Sequence, residues 1–425
     1  MKKFLMVFLI VVASLAVLLY GGVYLGHKVF FKEAAPPAPA AKAASSVPTI
    51  EAATDGKLML GMQAHKTQPK TLEEYLPIAA AQLKKYNEVA PSLWPDNPLV
   101  NQTFILEGLE SKKLWLITPD GTVSPLSDED AKKYNFKRDA YPGGFSFFEG
   151  GFYCVVSEKE VADYSIWQKY LHLGTYDAII FLIHEGFHET QRAWAETDDI
   201  SNGDRNEFLE NTEARAKRAL LEKQLLKAVN KPGDTALILD ALATYQDWKT
   251  QFPDDYKNSL YADRWEGTAY YYELIASLYA GYPDQIKNKD DLTRALALLA
   301  SRDDVYVDYG LVKEGYAVGG FACMLLDRLE EGWEKRLMND PTATPIEMLS
   351  QHFKDKALPT PAQPTQAERD AIIEANRASQ ERMQGSSMES SPEGKQEGKQ
   401  EDSSESSPKS SQLSKVFKLL YDLLY

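Results

Sequence analysis

Asp177-Ala178-Ile179-Ile180-Phe181-Leu182-Ile183-His184-Glu185-Gly186-Phe187-His188 places an apolar run directly before a His-Glu-x-x-His motif. The run predicts a helix buried in a core, within a helical stretch from Thr175 to Trp194. Four-residue spacing puts both imidazoles on one helix face, one turn apart, where both can reach a single Zn²⁺. Glu185 then lies beside the open coordination position, placed to take a proton from an activated water and pass it to a leaving group. Two ordinary core histidines would leave Glu185 buried without a partner, a costly arrangement. Histidine is scarce, six in 425 residues, so a chance match to the motif is on the order of one in a hundred.

A hydrolytic zinc site takes three protein ligands and leaves one position open. His172 precedes the helix, and His27, His65 and His352 are distant in sequence, so the third ligand is expected to be a carboxylate. Glu207, Glu213 and Glu266 are the downstream candidates. The two cysteines, Cys154 and Cys323, exclude a disulfide-rich scaffold and a cysteine metal cluster. With 62 acidic against 47 basic side chains and a net charge of −15, the chain lacks the basic footprint of a nucleic-acid binder.

Outward from the motif, the chain divides into five parts. Residues 1–28 hold an uncharged apolar run, Phe4 to Leu25, long enough to span a bilayer. It reads as an anchor or a signal; its length and the lack of a small-residue cleavage site favour an uncleaved transmembrane anchor. The Lys2-Lys3 start places the body outside the cytoplasm, in the periplasm or at the cell surface. Residues 29–48 form a Pro/Ala linker, stiff and extended. Residues 49–356 are the expected folded body. Residues 357–412 turn Ser/Glu/Lys/Gln-rich and too polar to fold, and residues 413–425 suit a short amphipathic helix.

The fold class expected of the body is mainly α with a small N-terminal β-containing subdomain (α+β). Thr71 to Val89 predicts a helix, Phe104 to Ser124 a hairpin turning at Pro119-Asp120-Gly121, and Phe145 to Val156 two aromatic strands about Gly150-Gly151. Further helices are predicted over Asn206–Val229, Asp234–Phe252, Ala262–Ala280, Leu292–Ala300 and Gly315–Leu337.

His184 to Gln191, Glu213 to Ala216 and Glu266 to Tyr271 follow the order His-Glu-x-Phe-His-x-x-Gln, Glu-x-Arg-Ala, Glu-Gly-x-Ala-x-Tyr. Tyr316 to Gly319 and Leu325 to Asp327 continue it. The stretch from His184 to Trp333 resembles the gluzincin zinc metallopeptidases, the class of thermolysin and aminopeptidase N, and most closely their uncharacterised bacterial peptidase-like members. The resemblance implies a zincin-like helical core and makes Glu266 the first choice for third ligand. Glu213 ranks second, and would orient a histidine if Glu266 binds the metal. Glu207, separated from His188 by 18 intervening residues, matches the aminopeptidase N spacing but lacks the following glycine. The resemblance also implies an oxyanion-stabilising side chain, with Tyr316 the candidate and Tyr271 the runner-up. Arg264 and Arg215 are candidate anchors for a substrate carboxylate. Phe152 to Val156 is a candidate peptide-binding sheet edge, or else an interior strand.

These readings converge on a membrane-anchored zinc metallopeptidase acting on a peptide or protein substrate, with Glu185 as general base. The alternative is a non-catalytic, metal-stabilised binding or scaffold protein of the cell envelope, for which Glu185 would have no use.

Overall fold

Thr71 starts the first described helix by accepting the Glu74 amide on its side chain, with Glu73 and Glu74 in the first turn where the helix dipole favours them. Helix α1, Leu72–Leu93, runs four residues past the predicted end. The computed structural model describes residues 69–140, 144–162, 178–192, 194, 211–231, 233–281, 286–300 and 311–374. The apolar run Phe4 to Leu25, the Pro/Ala linker, Glu207 and residues 413–425 lie outside them. Among the described residues no helix is long and apolar enough to cross a membrane.

The fold is mainly α with one small mixed sheet. The predicted hairpin resolves into three strands, β1 (Thr103–Gly108), β2 (Leu114–Ile117) and β3 (Val123–Leu126). Pro119-Asp120-Gly121 turns β2 into β3 as expected, with Gly121 at φ 83°. β4 (Phe145–Phe148) and β5 (Gly151–Val156) pair antiparallel about Gly150, at φ 78°. The strand order is β3-β2-β1-β5-β4, with β1 and β5 parallel. Phe152 to Val156 is therefore an interior strand, and β4 carries the edge on that side. Burial on both faces explains why β5 reads as an unbroken apolar run.

Side-chain alternation sends Ile105, Tyr153 and Val155 to one face, covered by Ala131, Tyr134 and Phe136. Phe104 and Phe152, with ring centroids 5.0 Å apart, occupy the other. Helix α2 (Ala178–Gln191) lies there, so close that a Cβ on Gly186 would meet the Phe152 ring at 2.6 Å. Glycine inside the metal motif is thus what lets this helix settle on the sheet.

Beyond α2, the longer described helices are α3 (Thr212–Asn230), α4 (Thr235–Gln251), α5 (Pro253–Gly281), α6 (Lys289–Ala300), α7 (Leu311–Leu329), α8 (Trp333–Asn339) and α9 (Pro345–His352). α5 begins nine residues before its predicted start. Pro253 occupies the first turn, where its missing N–H costs nothing, and Asp254 and Asp255 follow. The predicted Gly315–Leu337 helix is instead two, α7 and α8, parted at Gly332 with φ 74°.

The body also extends past the expected limit at 356. Ile372 is buried against Ala216 and Ala219 of α3, and Arg369 grips Glu213 through two bonds of 2.6 and 2.9 Å. The first part of the segment expected to be disordered, 357–412, is therefore packed on the body.

α5 and α7 cross backbone to backbone. A Cβ on Gly267 would sit 2.4 Å from the Gly319 Cα, and one on Gly319 would sit 2.0 Å from the Asp263 carbonyl oxygen. Beneath the crossing lies a buried charge network. Arg218 of α3 donates to Asp263 of α5 at 3.0 Å, Arg215 lies 3.1 Å from Asp255, and both arginines pair with Glu314 of α7. Such a network adds little net stability but is costly to break, so it specifies how the three helices meet. Replacing Gly319 by alanine should destabilise the fold by about 1–3 kcal/mol despite alanine's better helix propensity, because backbone cannot yield as a flexible side chain would. Denaturant unfolding of Gly319→Ala measures it.

Candidate metal centre

α2 presents His184 and His188 from consecutive turns, with ring centroids 4.9 Å apart and planes at 86°. α5 brings Glu266 across from the facing helix. The three side chains are buried, and their ligand atoms all lie within 4.8 Å of one another. Glu266 Oε2 is 3.6 Å from His184 Nε2 and 3.4 Å from His188 Nε2.

The outer nitrogens decide what the inner ones can offer. His184 Nδ1 lies 2.9 Å from Glu273 Oε2, and His188 Nδ1 lies 2.6 Å from Gln191 Oε1. Each partner atom is an acceptor, so each Nδ1 carries a hydrogen, and either ring, when neutral, turns a lone pair on Nε2 toward Glu266. Glu266 Oε2 itself is buried with no hydrogen-bond partner. An orphaned carboxylate oxygen facing two imidazole lone pairs calls for a positive charge among them. The donor set of two nitrogens and one carboxylate oxygen fits Zn²⁺.

Electrostatics follow the same geometry. Burial opposes ionisation of Glu266, but the two imidazoles hold its carboxyl far below the usual range. Burial would lower the His184 imidazole, yet Glu266 and Glu273 outweigh it and lift it to about 10. In the absence of a cation, a proton on His184 supplies the missing charge. Burial raises the Glu185 carboxyl, against the pull of His188 and His184, which suits a proton acceptor.

Tyr316 of α7 stacks on His184 at 5.4 Å with planes 19° apart, and its hydroxyl is 3.3 Å from His184 Nε2. Burial, then the charges of Glu266 and Glu185, push its phenol well above the ordinary value, so it stays a donor. The Gly267–Gly319 contact is what brings α7 near enough for this.

The other sequence candidates lie elsewhere. Glu213 does not orient a histidine; its carboxylate is engaged by Arg369. Tyr271 packs against Trp333 with centroids 5.7 Å apart, away from the imidazoles. Arg264 is no substrate anchor: it donates to the carbonyls of Leu337 and Asp340 at 2.7 Å and to that of Ala343, holding the end of α8. Arg215 is committed to the buried network.

Sequence reasoning missed Glu273 and Trp265 and gave Gln191 no role. Glu273 follows Glu266 by seven residues, two turns along the same face, a spacing that could have marked it. Trp265, next to Glu266, stacks on His188 at 5.3 Å with planes 7° apart.

Comparison with models of known families, with curated proteins and with solved structures finds no match.

The purified chain should bind one zinc ion per molecule, and chelation should lower its thermal midpoint by removing a ligand bound only to the native state. Glu266→Gln should weaken zinc binding by more than the roughly 10–100-fold typical of residues around the ligands, and the midpoint should no longer respond to chelator. Chelator competition and thermal unfolding check both.

Proposed function

We propose that this chain is a zinc-dependent peptidase of the gluzincin kind, anchored in a membrane by residues 4–25, with its body outside the cytoplasm. The observation that carries the reading is the orphaned Glu266 oxygen facing two imidazole nitrogens, with Glu185 between those histidines in sequence. His184, His188 and Glu266 would hold the ion. Zinc held there supplies the electrophile that activates water and polarises a peptide carbonyl.

The rest of the chemistry falls to the chain. Glu185 accepts one proton from the water as its oxygen bonds to the carbonyl carbon. It then delivers that proton to the nitrogen as the C–N bond breaks, releasing an amine and a carboxylic acid. Tyr316 donates its O–H to the oxygen that becomes negative in between, the point at which such a hydrogen bond matters most. Glu273 and Gln191 hold the imidazoles so that neither ring turns during the cycle.

The apolar run and the Lys2-Lys3 start support the anchored, extracytoplasmic placement. Against the scaffold alternative stands Glu185, only partly buried and poised beside the two histidines. A metal kept for stability alone gives no use for that carboxylate.

Glu185→Gln should bind zinc normally and cut peptides about 10²–10⁴-fold more slowly than the wild type. Turnover of a mixed peptide library, analysed by mass spectrometry beside a zinc assay on the same sample, reads both. Unchanged cleavage in the variant would overturn the assignment.

A further inference from the structure

His188 is held differently from His184. The latter leans on a carboxylate, Glu273; the former leans on a neutral amide, Gln191, which is itself 2 % exposed. An amide can present either end, so something must choose. The choice is made by the backbone: Gln191 Nε2 donates to the Trp265 carbonyl oxygen at 2.8 Å. A carbonyl only accepts, so the NH₂ end must face Trp265 and the oxygen must face His188. His188 then carries its hydrogen on Nδ1 and bares Nε2. The same residue holds the ring from its flat side, the Trp265 indole lying parallel to the imidazole. Tyr261, one turn earlier on α5, stacks on that indole at 5.6 Å and keeps it from rotating.

We propose that Gln191 and Trp265 form a clamp that sets both the tautomer and the plane of His188, as positioning residues for the metal. Trp265 precedes Glu266, so one turn of α5 supplies the third ligand and also orients the second. The neutral amide has its own consequence. Glu185, Glu266 and Glu273 already place three carboxyl groups around the site, and Gln191 fixes the ring without adding a fourth. The clamp rests on the zinc reading for its purpose, though its geometry stands without metal.

The test uses the full-length chain with ¹⁵N-labelled histidine, metal-free, near pH 8, and a parallel zinc titration by chelator competition. Wild-type His188 should appear as the Nδ1–H form. Gln191→Leu should lose that preference and bind zinc about 10–100-fold more weakly. Gln191→Glu still accepts from Nδ1–H but cannot donate to the Trp265 carbonyl, so it should keep the Nδ1 hydrogen yet bind zinc about tenfold more weakly than wild type. Trp265→Phe keeps a ring and the carbonyl and should resemble wild type; Trp265→Ala should lose about tenfold in affinity while keeping the tautomer.

A Gln191→Leu chain that is folded by circular dichroism, with wild-type tautomer and affinity, would overturn the clamp. If Gln191→Leu does not fold, a folded Gln191→Glu chain with wild-type zinc affinity does the same. A wild-type chain that takes up no zinc refutes the metal reading instead, and the tautomer comparison then decides the clamp alone.

Discussion

Two imidazole nitrogens and a carboxylate oxygen converge on one spot in the interior, and the chain spends much of its architecture holding them there. His184, His188 and Glu266 come from two helices with no cause of their own to bring such groups together. What keeps them apart from water is the apolar packing of α2 and α5. Phe187 stacks on Tyr272 at 4.3 Å, and Trp94 meets Phe187 edge-on at 5.0 Å. Hydrophobic burial drives the helices together, and the converging polar atoms are carried along at a cost. A cation placed among them would offset that cost.

The second support lies under α7. Glu314 anchors its start to two arginines of α3, and the glycine crossing seats it against α5. Between these points stands Tyr316, two residues past Glu314 and three before Gly319. Its position beside His184 follows from the fit of helix on helix. The residue is only half-buried, but the frame that aims it is wholly interior.

The sequence was most informative where one local rule sufficed. Spacing of four showed that His184 and His188 share a face, turn chemistry located Gly121 and Gly150, and apolar residues at helical spacing located the helices. It was less informative where a decision belongs to distant contacts. Pro253 looks like a breaker until the helix it begins is seen, and Gly332 looks tolerable within a helix until the chain bends there. Glu213, Glu266 and Glu273 are alike in type and setting on paper; only the packing of α3 and α5 sends the first to Arg369 and the others to the imidazoles. Arg215 and Arg264 look equally fit to hold a substrate until their internal partners are known. The apolar β5 run, by contrast, carried its own clue, since a strand without polar alternation is covered on both sides.

Helix α5 has a consequence of a mechanical kind. From Asp263 to Glu273 one uninterrupted rod bears the acid that meets Arg218, the cap of α8, the indole stacked on His188, the candidate metal ligand Glu266, the glycine contact and the carboxylate bonded to His184. An α-helix advances about 100° per residue, so these parts keep a common phase like teeth on a screw. Adding or removing a single residue anywhere in that stretch would turn everything beyond it by more than a quarter revolution. The segment can change its side chains one by one, but it cannot change its length.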